Sequence, residues 1–272
     1  MPGTLYLVAT PIGNLEDITL RAVRVLREAD LIACEDTRQT GKLLQHFGII
    51  AKPMVSYHEH NEAARTQELV AKLESGTNIA LVSDAGTPLV SDPGYRLVIA
   101  AADAGITVVP IPGASAILGA LAAAGLPTDA FRFSGFLPAK TGQRKKALEE
   151  LRGEDCTLIF YEAPHRILDA LSDIAAVYGE RPVVVARELT KMHEEFLRGT
   201  AEEVRATLAA RPSVKGEITL LIGKGPPAVS ATPVEDAVRE LEQRGVPRMD
   251  AIKQVARERG LSKREVYSRV TG

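Results

Sequence analysis

A chain of 272 residues, 45% hydrophobic and 25% charged, is long enough to bury a sizeable core and falls in the range of about two domains. Its 33 Lys and Arg against 35 Asp and Glu leave a formal charge of −2, which excludes a strongly basic protein that coats nucleic acid. Six Tyr, six Phe and no Trp leave too little for an extended base-stacking platform, so any RNA or DNA contact is expected to be local.

The first half alternates short apolar runs with longer helical patterns. TLYLVAT at 4–10 reads as a strand. Behind it, Ile18, Ala22, Val25, Leu26 and Ala29 follow the helical period, and Thr19 can cap the exposed N–H groups at the helix start. LIACED at 31–36, NIALVSD at 78–84 and ITVVPIP at 106–112 continue the series, which is the βαβ rhythm of a parallel sheet. Each strand ends in a loop rich in Gly, Pro or Asp, and ligands of open α/β sheets bind beyond the carboxyl ends of strands. Residues 5–9 already form an apolar strand, without the basic region and longer apolar core of a signal peptide, so a cytoplasmic location is expected. The longest apolar stretch, 111–126, is broken by Pro112, Gly113, Ser115, Gly119 and Gly125 and suits a packed helix better than a membrane span. Cys34 and Cys156 have no CxxC partner or Cys/His cluster, so two buried thiols are expected rather than a disulfide framework or zinc site.

After Pro127 the pattern changes to FRFSGFLP, a basic stretch, a helix near 144–151, and strands TLIFYEA, RPVVVARE and EITLLIG. This reads as a second α/β domain. The expected division is 1–112, 113–225, and a tail at 226–272 made of a linker and a helix-turn-helix-like pattern around Gly260-Leu261-Ser262.

Three loops carry the chemical signals. ATPIGNL at 9–15 has one glycine and no GxGxxG fingerprint, which disfavours a nicotinamide cofactor. SDAGTPLVSDPG at 83–94 packs two Asp, two Gly and two Pro behind a buried strand, exposing backbone groups while Asp84 and Asp92 can accept hydrogen bonds. PGASA at 112–116 opens an Ala-rich helix whose first N–H groups can hold a carboxylate. GEITLLIGKG is not a phosphate loop, because Gly225 follows Lys224 where Ser or Thr is needed.

TPIGNL, EDTRQT, SYHEHNE, SDAGTPLVSDPG, PGASA, FRFSGFLP, YEAPHR, KMHEEFLRG and GEITLLIGKG, in this order, resemble the ribosomal RNA small subunit methyltransferase I family within the tetrapyrrole methylase superfamily. The resemblance spans roughly residues 3–225, and the helical tail is similar to that family's C-terminal extension. It implies two α/β domains of the tetrapyrrole methylase type, with S-adenosylmethionine in the cleft between them. The implied enzyme is a homodimer that methylates a cytidine 2'-hydroxyl of 16S rRNA at the decoding centre, within the small ribosomal subunit. On the resemblance, Pro11, Asp84, Gly86, Thr87, Pro88, Ser91, Ser115 and Ala116 would line the cofactor site from the first domain. Tyr161, Glu162, Glu217 and Thr219 would approach it from the second. Tetrapyrrole-modifying relatives carry Gly-Asp-Pro where this chain has Gly86-Thr87-Pro88.

A ribose hydroxyl attacks well only as its proton leaves, so a general base is sought among nearby carboxylate, Lys and His side chains. Asp36 can accept that proton and Arg38 can hold a phosphate, or the two can form an ion pair capping a helix. Lys191, if desolvated with a lowered pKa, can act as base, or it can pair with a nearby Glu; Glu195 of the same KMHEEF run is a further catalytic candidate. His58, His60 and Asn61 form a hydrogen-bonding cluster suited to a ribose or base edge. The His-x-His spacing lacks a third ligand motif, so no metal is expected. His165 and Arg166 can contact substrate or start a helix.

Residues 130–146 hold Arg132, Lys140, Arg144, Lys145 and Lys146 with no acidic residue, beside Phe131, Phe133 and Phe136. Cations near aromatics can grip RNA, or they can line a solvated helix face over a Phe core. The span 244–269 carries eight cationic and three acidic residues and can dock RNA. Two other readings stand beside this one: a methyltransferase acting on a tetrapyrrole, and an inactive body with a DNA-binding helical tail.

Overall fold

The computed structural model describes residues 1–225, 233–259 and 261–271. Most of the expected linker, at 226–232, and Gly260 of the expected turn lie outside the described residues.

The first sheet contains β1 (Thr4–Val8), β2 (Leu31–Cys34), β3 (Met54–Ser56), β4 (Ile79–Val82) and β5 (Thr107–Ile111). They run parallel in the order β3-β2-β4-β1-β5. Every residue of β2 and β4 is buried, as expected of strands covered on both faces. One face is covered by α1 (Leu20–Glu28) and α2 (Thr37–His46), the other by α3 (Glu62–Glu74) and α4 (Tyr95–Asp103). Thr19 starts α1 as the sequence predicts, its hydroxyl accepting the Ala22 N–H at 3.0 Å. Because all five strands point the same way, their following loops open on one edge. Two of these loops are joined there by paired backbone hydrogen bonds between Thr10 and Gly86, at 2.9 and 3.0 Å.

The second sheet contains β6 (Phe131–Phe136), β7 (Thr157–Glu162), β8 (Pro182–Arg187), β9 (Glu195–Thr200) and β10 (Ile218–Ile222), in the order β6-β7-β10-β8-β9. β6 and β7 are parallel and the remaining pairs antiparallel. Strand alternation sends Phe160, Val185 and Leu220 to one face, against α6 (Thr141–Glu150), α7 (Ile167–Tyr178) and α8 (Ala201–Ala209). Burying a side chain such as Phe160 contributes about 1.5–3 kcal/mol. Ile159, Val184, Ala186 and Leu221 point the other way, onto the Ala-rich α5 (Ala116–Ala124).

The tail folds as α9 (Val234–Gln243), α10 (Arg248–Glu258) and α11 (Lys263–Thr271) around Val238, Ile252, Val255 and Val266. The sequence pattern predicts the last two helices; α9 is an addition to that reading. Among the described residues no helix is long and apolar enough to cross a membrane. Cys34 and Cys156 are free and buried.

Candidate functional site

A cavity of about 400 Å³ lies where the loops at the open edge of the first sheet meet the ends of β7, β8 and β10. Its size is that of a small-molecule site. The loop after β4 forms one wall through Gly86, Thr87, Ser91 and Asp92. Gly86 has φ +82°, and the non-glycine Leu89 and Ser91 also sit in the left-handed region, at +72° and +65°. Such residues cost of order 1–3 kcal/mol each and persist only where the surroundings over-determine them. Here the bracing comes from Thr10, which donates its hydroxyl to the Ser83 carbonyl, and from Ser83, which donates to the Gly86 carbonyl, both at 3.2 Å. Ser115 and Ala116 add the start of α5, where the Ser115 hydroxyl accepts the Leu118 N–H.

The opposite wall follows from strand register. Tyr161 pairs with Thr219, and Thr219 with Ala186, so the three stand side by side across β7, β10 and β8 and face the cavity. The Tyr161 ring packs against Phe133 and Phe136 at centroid distances of 4.9 and 5.6 Å. The fully buried Glu162 side chain also lines the cavity. Its Oε1 accepts from Ala163 N at 2.7 Å and from Arg166 Nε and Nη2 at 2.9 and 2.6 Å, while Oε2 is buried without a partner. Glu217, at the head of β10, accepts from Lys191 Nζ at 3.0 Å.

Among the expected cofactor residues, the structure brings Gly86, Thr87, Ser91, Ser115, Ala116, Tyr161, Glu162, Glu217 and Thr219 together around this cavity. Pro11 and Pro88 are buried outside the lining, and Asp84 stands exposed beside it, accepting the Asp36 N–H at 3.1 Å. Sequence reasoning missed Ile12, Phe136, Ala186 and Leu189 as lining residues, and it noted Asp92 without giving it a place in the site. Position was the available signal: each follows or ends a strand at the edge where ligands bind.

The four catalytic candidates lie outside the lining. Asp36 caps α2, accepting the Arg38 N–H at 2.8 Å and Arg38 Nη2 at 2.9 Å. These hydrogen bonds from Arg38 pull its carboxyl down to about 2, which makes it a weak base, and Arg38 itself is 87% exposed. Glu195 is held at about 2 chiefly by Arg211, with Arg187 adding a second hydrogen bond. The expectation of a lysine with a lowered pKa is corrected. Burial does pull the Lys191 ammonium down, but its hydrogen bonds to Glu217 and Glu188, each 3.0 Å, outweigh burial and hold it above the ordinary lysine range.

Of the substrate candidates, Arg144 is the clear correction. It is 2% exposed, with Nε donating to Asp173 Oδ2 at 2.7 Å and Nη1 donating to the Pro138 and Ala139 carbonyls. It braces the start of α6 and cannot reach a phosphate. Lys145 is partly exposed and lies 3.6 Å from Asp173, whereas Arg132 pairs with Glu154 on the surface. Arg166 is committed to Glu162, and His165 is exposed beside it. Asn61 spends its amide locally, accepting the His58 N–H and donating to the Ser56 carbonyl and to His58 Nε2, while His60 is exposed. Among the described residues no three His, Cys, Asp or Glu side chains converge on a metal position.

The family model described as Tetrapyrrole (Corrin/Porphyrin) Methylases matches residues 4–205. The protein of Halalkalibacterium halodurans named Ribosomal RNA small subunit methyltransferase I is 54% identical, over 98% of this chain and 94% of the relative. Its namesake in Synechocystis sp. is 53% identical, over 97% and 96%. The chain belongs to the ribosomal RNA small subunit methyltransferase I family. Among solved structures, diphthine synthase is similar in fold, with a TM-score of 0.64 at 17% identity over 81% of this chain and 90% of that one. So is a Thermus thermophilus uroporphyrin-III C-methyl transferase complexed with S-adenyl homocysteine, with a TM-score of 0.56 at 19% identity over 81% and 97%. The tetrapyrrole methylase α/β fold expected from the motifs is the fold observed, and membership of the ribosomal RNA small subunit methyltransferase I family makes the chain a methyltransferase.

Proposed function

We propose that the chain transfers a methyl group from S-adenosylmethionine to the ribose 2'-hydroxyl of a cytidine in 16S rRNA. The target lies at the decoding centre, and the enzyme acts as a cytoplasmic homodimer on the small ribosomal subunit. The observation that carries the cofactor is the orphaned Oε2 of Glu162, a buried acceptor in an otherwise largely apolar cavity. Leaving such an oxygen unsatisfied is costly, and an adenosine-type ligand brings the hydroxyl and amino donors it lacks. S-adenosylmethionine supplies an electrophilic methyl group on a sulfonium.

Gly86, Thr87, Ser91, Ser115 and Ala116 hold the ligand from one side, and Tyr161, Glu162, Glu217 and Thr219 from the other. With the proposed division at 1–112 and 113–225, Gly86, Thr87 and Ser91 belong to the first unit and Ser115, Ala116, Tyr161, Glu162, Glu217 and Thr219 to the second, with 226–272 appended. These residues would position the bound methyl donor for in-line attack by the ribose oxygen, and such positioning can supply much of the acceleration. Phe136 lines the cavity yet is 56% exposed, so it offers a stacking face for a splayed base. Arg38, Arg132 and Lys145 are exposed cations that would exchange their carboxylate partners for RNA phosphates, and the tail adds more.

The test is nucleoside analysis of 16S rRNA after incubation with the protein and isotopically labelled cofactor, using naked rRNA and small subunits in parallel. The expected product is 2'-O-methylcytidine. A label on any other nucleoside position overturns the assignment of the target, and transfer to an added porphyrinoid instead of rRNA overturns the substrate class.

A further inference from the structure

We propose that Asp92 is the general base that takes the proton of the attacking hydroxyl; this rests on the hydroxyl-methylating reading above. Among the described residues, three acidic side chains line the cavity: Asp92, Glu162 and Glu217. Glu162 is neutralised by Arg166 and Glu217 by Lys191, whereas Asp92 has no cationic partner among the described residues. It follows Ser91, one of the two strained non-glycine residues of the loop, so backbone energy is spent on directing this segment at the cavity.

The groups around Asp92 are Glu35 beyond β2, Ser83 and Asp84 beyond β4, and Tyr161 from β7, and none is cationic. Burial, then the Glu35 charge and more weakly Asp84, push its carboxyl up to about 6, with the nearby Ser83 hydroxyl opposing. The group is therefore largely ionised at neutral pH and more basic than an ordinary aspartate. That pairing of properties is what a general base needs, because efficiency peaks when its pKa lies near the operating pH. Asp36 and Glu195 are too acidic and Lys191 is protonated, so none of them combines ionisation, basicity and access to the cavity.

The step balances as follows. The 2'-oxygen forms a bond to the methyl carbon while its proton moves to the Asp92 carboxylate. The carbon–sulfur bond breaks with its electron pair left on sulfur, converting a sulfonium into a neutral thioether. The neutral Asp92 carboxyl then returns its proton to water.

The experiment compares wild type, Asp92→Asn and Asp92→Glu. The readouts are S-adenosylmethionine affinity by calorimetry without RNA, single-turnover methylation from about pH 5 to about pH 9, and carboxyl NMR titration of the ligand-free protein. The wild-type rate is expected to rise about tenfold per pH unit below about 6 and then level, matching the Asp92 titration midpoint. Asp92→Asn is expected to lose roughly 10²- to 10⁴-fold in rate and the inflection with it, while cofactor affinity stays within about threefold; Asp92→Glu restores part of the rate. Three results overturn the role: an Asp92→Asn rate close to wild type, a rate loss explained by equal loss of cofactor affinity, or an Asp92 midpoint in the ordinary aspartate range. Wild-type protein that methylates an atom other than a ribose oxygen overturns the underlying reading and the proposal together, and product analysis separates that case from failure of Asp92 alone.

Discussion

The side chain of Lys191 lies across Gly13, so closely that a β-carbon on Gly13 would collide with the lysine Cγ. Gly13 belongs to the loop after β1, and Lys191 to the turn between β8 and β9, so this contact joins the two sheets beside the cavity. The turn holds Glu188 and Thr190 in the left-handed region, and Lys191 is fixed by Glu188 and by the cavity-lining Glu217. Gly13→Ala is expected to displace the lysine, weaken cofactor binding and cost about 1–3 kcal/mol through overpacking. In a Lys191→Ala background, where the lysine contacts are gone and the Thr190 hydroxyl at 3.0 Å still crowds the methyl group, the same substitution should cost less. A double-mutant cycle read by denaturant melts and calorimetry checks this.

Arg144 makes a prediction opposite to the one its neighbours in sequence suggest. Removing one partner of a buried ion pair leaves the other charge uncompensated, at a cost of about 3–5 kcal/mol. Arg144→Met is therefore expected to destabilise strongly by stranding Asp173, which among the described residues only the half-exposed Lys145 then approaches. Arg144→Met/Asp173→Leu should recover much of the loss, since neither charge remains. Urea unfolding of the single and double variants measures both effects. A phosphate-binding arginine would instead lower RNA affinity and leave unfolding unchanged.

The burial of Arg144 was legible in principle. It stands four and seven residues before Leu148 and Leu151, on the face of α6 that enters the core, whereas Lys146 falls off that stripe. What the sequence could not give was the partner, because Asp173 lies 29 residues away on α7. The same limit applies to Lys191, whose pKa is decided by Glu217, remote in sequence and near only through the sheet. The fully buried strands β2 and β4 announced themselves by continuous apolar runs. β3 is three residues of intermediate burial and β9 reads EFLRGT, an edge strand with exposed charge, so neither carries a comparable signal. The carboxyl-end loops identified the cavity's first wall, and register, which pairs Tyr161 with Thr219 and Ala186, completed the second.

Asp92 also predicts how stability responds to pH. Its carboxyl titrates near 6 in the folded chain against about 3.9 for an unfolded aspartate, so between these values the folded state holds the extra proton. Stability contributed by this group therefore falls as pH rises from about 4 to 6, and the penalty persists above that window. Asp92→Asn removes the penalty. The variant is expected to melt above wild type at pH 8, with the gap shrinking as pH is lowered towards 4, as for an active-site group kept at the expense of stability. Melting temperatures across this range provide the check; a gap that widened at low pH would contradict the assignment.

Phe136 tests whether a base is stacked at the cavity. A phenylalanine serving only the core would be buried, yet this ring is more exposed than Phe131 at the other end of β6, although it packs on Tyr161. Stacking of one base on an aromatic ring is worth about 1–3 kcal/mol, so Phe136→Ala should weaken RNA binding roughly 5- to 150-fold. Phe136→Tyr retains the π face and should bind close to wild type. Because Phe136 also lines the cavity, cofactor affinity must be measured beside RNA affinity: a stacking role predicts that the RNA term changes far more. Equal losses in both would make the ring a cofactor contact through Tyr161, and loss of neither would remove Phe136 from the site. Salt dependence separates the aromatic contribution from Arg38, Arg132 and Lys145, since replacing a phosphate-contacting cation lowers the salt slope and replacing a stacked ring leaves it unchanged.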